Sequence, residues 1–249
     1  MCADDLMLLA LSLKDMQLMV NICADELFKL DLKPNPKKIS CLKIGNRWNV
    51  NLSNIMIDKV SIPWCTEITY LGIVMLAGKS LKFDFHLKKA KYFGALNNVL
   101  GKIGNSSNAC LVLSLVSSKC NPILGYGLEA IRINNSTLNN ISYVFNAVYT
   151  KLFGSFDKSV IAQCQWYCGY LPLCYDIDLK KMHFLNNLLS GSSPASIVFK
   201  REANIDLLQL TTKYRIDLAI RDGATRPTVS WKRAVWSAFE ASLQIVNTS

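Results

Sequence analysis

The sequence has no paired cysteine spacing, no internal repeat, no low-complexity linker and no unbroken apolar run of bilayer length. Its nine cysteines, an odd number scattered through 249 residues, do not make a disulfide framework. Thiols in a reducing compartment, with no disulfides, fit them best. Residues 6–13 (LMLLALSL) imitate the core of a signal peptide, but Asp4 and Asp5 stand where positive charge belongs. No small-residue cleavage site follows. The least polar stretch, 109–131, is broken by Lys119, Asn121, Pro122 and Glu129, which argues against a membrane span. These absences predict an intracellular chain, cytoplasmic or nuclear, with no membrane partner.

A hydrophobic content of 51% excludes general disorder, and the length suffices for a real core. The net charge of +10 is unevenly spread. Residues 1–32 hold 2 basic and 6 acidic side chains, whereas residues 33–91 hold 11 basic and only 3 acidic ones. So dense a basic segment suits a polyanion, because Lys and Arg on phosphates release counterions; a solvated basic surface is the plain counterpart.

Periodicity predicts an α+β chain. Residues 6–12 read as a buried strand, after which Ser12 opens a helix over 13–30, with Asp15 as an imperfect capping box. Met16, Met19, Val20, Cys23, Leu27 and Leu30 give that helix its apolar face. KPNPKK at 33–38 breaks it, since Pro34 and Pro36 cannot continue a helix. ISCLKIG (39–45) alternates like a strand, with IMIDKVSI (55–62) as its partner and ITYLGIVML (68–76) as a third. Near Gly78–Lys82 strands give way to helices. Phe85, Leu87, Ala90, Phe93, Leu96, Leu100 and Ile103 predict a long helix ended by Gly104. Helical segments follow at 107–119, 122–131, 136–154 and 157–168, and as a pair across 176–200; beyond 203 the pattern weakens.

Asp4 and Asp5 sit together in an apolar surrounding, and adjacent carboxylates repel unless a cation compensates. Taken singly, each candidate has a plain structural reading. The acids are a frayed terminus, Lys37 and Lys38 a solvated turn, Gly72 a packing glycine, and Lys88, Lys89 and Lys91 a helix exterior. Cys164, Cys168, Cys174 and His183 are separated by three, five and eight residues, which matches no common zinc pattern.

Their order carries more. CADDLMLLA resembles the YADD catalytic box of reverse transcriptases, and LDLKPNPKKISCLKIG is similar to the segment after that box in non-LTR (LINE-type) retrotransposons. ITYLGIVM resembles their primer-grip strand pair, marked by Leu-Gly. FGALNNVLGKIG, LVSSKCNPILGYGLEA and YCGYLP resemble the thumb and post-thumb region, so the likeness runs in order over about 1–190.

The resemblance implies an RNA-directed DNA polymerase, a nucleotidyltransferase of a transposable element. It acts on an RNA template, a DNA primer and deoxynucleoside triphosphates through two Mg²⁺ ions. It divides the chain into the C-terminal part of a palm at 1–80, a helical thumb at 81–155 and a helical post-thumb region at 156–249. Asp4 would be the principal metal ligand and Asp5 its weaker neighbour. Lys37 or Lys38 would sit near the leaving pyrophosphate. Tyr70, Leu71 and Gly72 would hold the primer end, and Lys88, Lys89 and Lys91 would touch duplex phosphate.

Cys2 stands where the family has an aromatic against the primer–template minor groove. The chain begins at the box, so the preceding hairpin strand, the upstream aspartate and the fingers lie outside these residues. The expectation is a fragment that carries the signature without turnover, because Mg²⁺ demands a near-octahedral ligand set. The alternatives are a non-catalytic basic helical module that binds nucleic acid, or a decayed relic.

Overall fold

Strands give way to helices at Phe85. In a computed structural model the described residues are 6–103, 108–221, 224–227 and 229–247, and the chain divides into two units, Met1–Phe85 and His86–Ser249. The class is α+β, with short strands in the first unit and mostly helix in the second.

The first unit opens on helix α1 (Leu13–Lys29). Ser12 caps it as expected: its Oγ accepts from the Asp15 N–H at 3.1 Å and donates to Asp15 Oδ2 at 2.7 Å. The helix closes in a Schellman motif, with the Leu32 N–H on the Leu27 carbonyl and Asp31 at φ 56°. The residues before the cap depart from expectation. Residues 6–10 form no strand, and Leu6, Leu9 and Leu11 are 66%, 76% and 106% exposed. A strand is made by its ladder, and no described residue pairs with this segment.

Pairing in the unit also differs. β1 (Cys41–Leu42) runs parallel to β4 (Trp64–Cys65), while β2 (Ile55–Ile57) and β3 (Val60–Ile62) form their own antiparallel hairpin. IMIDKVSI is therefore two strands about an Asp58-Lys59 turn, not one strand against 39–45. Both turn residues take positive φ, 44° and 66°, as a type I′ turn requires. ITYLGIVML likewise folds on itself as β5 (Glu67–Tyr70) and β6 (Ile73–Leu76), joined by Leu71-Gly72, and β7 (Lys82–Asp84) completes a three-stranded sheet.

Helix α1 lies on β2 around Val20, Ile55, Ile57 and Ile62. Gln17 does there what a neighbouring strand would do. Its Nε2 donates to the Met56 carbonyl at 2.8 Å and its Oε1 accepts from the Met56 N–H at 2.9 Å. An open strand edge is thereby satisfied by one side-chain amide.

The second unit begins with α2 (His86–Ile103), α3 (Ala109–Lys119), α4 (Asn121–Gly125) and a 3₁₀ turn (Leu128–Ala130). Ala109–Ala130 has the length and mean hydropathy (1.2) to cross a membrane. The stretch is interrupted at Cys120 and at Gly127, and Val112, Leu113, Val116, Leu124 and Leu128 within it are buried. Next come α5 (Asn135–Phe153), ended by Gly154 at φ 67°, and α6 (Lys158–Tyr167), capped by Asp157. The pair α7 (Leu173–Ser190) and α8 (Pro194–Lys213) leads to a hairpin of β8 (Leu218–Arg221) and β9 (Ala224–Pro227), then α9 (Trp231–Asn247). Beyond 203 the described residues thus form helix and hairpin, and α9 buries Trp231, Val235 and Phe239 at four-residue spacing.

One charge network ties this unit together. Asp206 on α8 meets Arg132 at 2.9 Å and Lys181 on α7 at 2.9 Å. Burial works to raise the Asp206 pKa, but Lys181 and Arg132 outweigh it and hold the carboxyl below its ordinary value. A carboxyl with a depressed folded-state pKa stabilises the fold above its unfolded pKa, and that contribution is lost as pH falls through the folded value. Asp206→Asn should therefore weaken the unit at pH 7, with the gap to wild type closing below about pH 4 in urea titrations. A gap that persists in acid would assign the loss to packing.

Candidate nucleic-acid interface

Asn35 shapes the turn that presents the two candidate lysines. Its Oδ1 accepts from the Lys37 N–H at 3.1 Å and its carbonyl from the Lys38 N–H at 3.0 Å, with Pro36 fixing φ between them. Lys37 and Lys38 are both exposed. The turn keeps two cations in solvent at one place, the arrangement a phosphate needs.

The Leu71-Gly72 turn is the second candidate. Leu71 has φ 47° and Gly72 φ 76°, with Tyr70 paired to Ile73 across the hairpin end. Tyr70 is half-buried, while Leu71 is 38% exposed and Gly72 is open to solvent. Left-handed backbone costs a branched side chain roughly 1–2 kcal/mol, a cost glycine escapes. Leu71→Asn is accordingly expected to stabilise the first unit by about 1 kcal/mol in denaturant titrations, since Asn tolerates that region. No gain would mean that the leucine is held by its neighbours.

The lysines of α2 separate. The buried stripe of this helix is Lys88, Tyr92 and Leu96, four residues apart, while Leu87 is 44% exposed and Ala90 is also exposed. Lys88 is only 7% exposed. Its ammonium donates to the Tyr126 carbonyl and lies 5.3 Å from the Tyr126 ring centroid. Burial pushes its pKa down, with Glu129 acting the other way. Lys88 is thus an internal brace between α2 and the Tyr126 segment, not the surface cation implied by the resemblance. Lys89 is half-buried, with its Nζ 3.0 Å from Asn140 Oδ1 on α5, and Lys91 faces solvent.

Two further basic residues join the first unit's surface. Ile44 bridges Gly78, and the Gly45 N–H, at a φ of 124°, donates to the Gly78 carbonyl at 2.9 Å. This tie brings the exposed Arg47 and Lys79 to one edge, beside an exposed Trp48. Lys43 holds the loop from below, its Nζ on the Val50 carbonyl at 2.7 Å and 5.3 Å from the Trp64 ring. Their separation in sequence hides this grouping, although glycines at 45 and 78 are a sign of close backbone approach.

Cys2, Asp4 and Asp5 lie outside the described residues. Among the described residues no three His, Cys, Asp or Glu side chains come together in a metal-holding group. Comparison with protein-family models, with curated proteins and with solved structures finds no match.

Proposed function

We propose that this chain is the C-terminal part of the palm, with the helical thumb and post-thumb region, of a non-LTR retrotransposon reverse transcriptase. The observation that carries the reading is an ordered set: paired acids, α1, the Asn35–Lys38 turn, the Leu71-Gly72 hairpin, then the helices α2 to α8. The parent activity is RNA-directed DNA polymerisation with two Mg²⁺ ions. Asp4 and Asp5 would hold the metal and Lys37 or Lys38 would face the pyrophosphate. The turn at Leu71-Gly72 would meet the primer end, with Lys91 on duplex phosphate.

The exposed apolar side chains of α1 support the same reading. Leu18, Ile22 and Phe28 are 58%, 51% and 73% exposed, a face that further palm strands would cover. Two adjacent acids alone leave the octahedral demand of Mg²⁺ unmet, so these 249 residues are proposed to bind substrate without extending it. A primer-extension assay with Mg²⁺ tests this, and no product is expected. Extension that Asp4→Ala abolishes would overturn the inactivity.

The second reading, a non-catalytic basic module for nucleic acid, is favoured by the exposed cations Lys37, Lys38, Arg47, Lys79 and Lys91. It predicts salt-dependent binding with no preference for a primer–template junction over plain duplex. A junction preference that Leu71→Asn abolishes, at unchanged duplex affinity, would favour the polymerase origin.

A further inference from the structure

We infer that the first unit holds a single nucleic-acid strand by stacking its unpaired bases on Trp48, with Arg47 and Lys79 on the flanking phosphates. This rests on the reading of the first unit's basic surface as a nucleic-acid surface, and adds to it the kind of strand and the side chain that selects it.

The two tryptophans of this unit are used differently. Trp64 is spent inside: its Nε1 donates to the Ser53 carbonyl at 3.3 Å, the Lys43 ammonium lies 5.3 Å from its ring, and it packs on the core beneath α1. Trp48 has no such use. It is 36% exposed, and among the described residues its indole has no hydrogen bond, ring or cation partner. Ile44 and Val50 in the same loop are 47% and 44% exposed, so the ring belongs to an apolar patch rather than standing alone. The loop is held in place. The Trp48 N–H donates to the Gly45 carbonyl at 3.0 Å, the Val50 N–H to the Arg47 carbonyl at 3.1 Å, and the Lys43 ammonium to the Val50 carbonyl at 2.7 Å. A ring fixed in this way costs little further ordering when a flat partner lands on it. Charge names that partner. Residues 33–57 contain five basic side chains and no acidic one, and residues 68–83 contain Lys79 and Lys82 with no acid. Arg47 and Lys79 are exposed and meet no carboxylate among the described residues. An apolar ring among uncompensated cations fits a chain that offers a π-face and a phosphate at every step. In a duplex the base faces are already stacked on one another, so a duplex uses the cations and not the ring.

Fluorescence anisotropy on the full chain tests this with end-labelled oligothymidylate, oligouridylate and a blunt DNA duplex, the single strands about ten nucleotides long. Trp48→Ala should weaken both single strands about fivefold or more, the loss of one stacked base. The slope of log K against log salt should stay as in wild type, because a ring releases no counterions, and duplex affinity should be unchanged. Trp48→Phe keeps a stacking face and should retain most of the single-strand affinity. Arg47→Ala/Lys79→Ala, two exposed changes, should instead make the single-strand slope shallower by about 0.7 for each phosphate no longer neutralised. The inference is overturned if Trp48→Ala keeps wild-type affinity for both single strands. It is equally overturned if that variant weakens duplex and single strand alike, which would make the indole a support of the loop. A chain that binds duplex and neither single strand overturns the inference and leaves the nucleic-acid surface standing, whereas binding to none of the three overturns both.

Discussion

Phe239→Ala is expected to cost the second unit about 3–5 kcal/mol. Phe239 is 1% exposed on α9, with Val235 four residues before it at 0% and Trp231 eight before at 5%. Its ring centroid lies 5.3 Å from that of Tyr175 on α7 and 6.0 Å from that of Trp236. Truncation removes the transfer free energy of a ring and leaves a void, because close-packed neighbours relax only in part. Urea denaturation followed by far-ultraviolet circular dichroism measures the loss. Phe156→Ala is the control: its side chain is 78% exposed, and the change should stay within about 0.5 kcal/mol. A loss for Phe239→Ala no larger than the control would mean that α9 does not dock.

The second large effect concerns nucleic acid. With an RNA–DNA primer–template at about 0.1 M salt, Lys37→Ala/Lys38→Ala is expected to bind about tenfold or more weakly than wild type. Its slope of log K against log salt should be shallower by about 0.9 for each phosphate that is no longer neutralised. The Asn35 turn fixes both cations in solvent, and lysines on phosphate give affinity without sequence choice. Lys91→Ala should make the slope shallower by about 0.9, the share of a single phosphate. Lys88→Met should leave it untouched, because that ammonium is already bonded to the Tyr126 carbonyl inside the unit. An unchanged slope in the double variant would remove this turn from the interface. A slope lowered by Lys88→Met would contradict the buried position.

Much of the fold is legible in the sequence where the controlling interactions are local. The Ser12–Asp15 cap, the break at Pro34 and Pro36 and the Asn35 turn depend on residues within four positions of one another. Lys37 and Lys38 can be placed in solvent for the same reason. Hairpins are harder. IMIDKVSI and ITYLGIVML lack the Asn-Gly or Asp-Gly pair that announces a type I′ turn, so each reads as one strand. Lys88 reads as a surface residue because its charge outweighs its register, although Tyr92 and Leu96 stand four and eight residues further on.

The sequence by itself determined the start of α1 at Ser12, the breaker after α1, the turn that carries Lys37 and Lys38, and the basic excess over 33–91. Those features come from backbone conformation and short-range hydrogen bonds, which a few neighbouring residues settle. Only the tertiary structure decided that Gln17 completes the edge of β2, that Gly45 and Gly78 bring Arg47 and Lys79 together, and that Lys88 turns inward to Tyr126. It also decided that Lys232 and Trp236 on α9 come together with Asn121 and Pro122 on α4. Each of these joins residues tens of positions apart. Their free energies come from desolvation and from partners that a one-dimensional pattern does not contain.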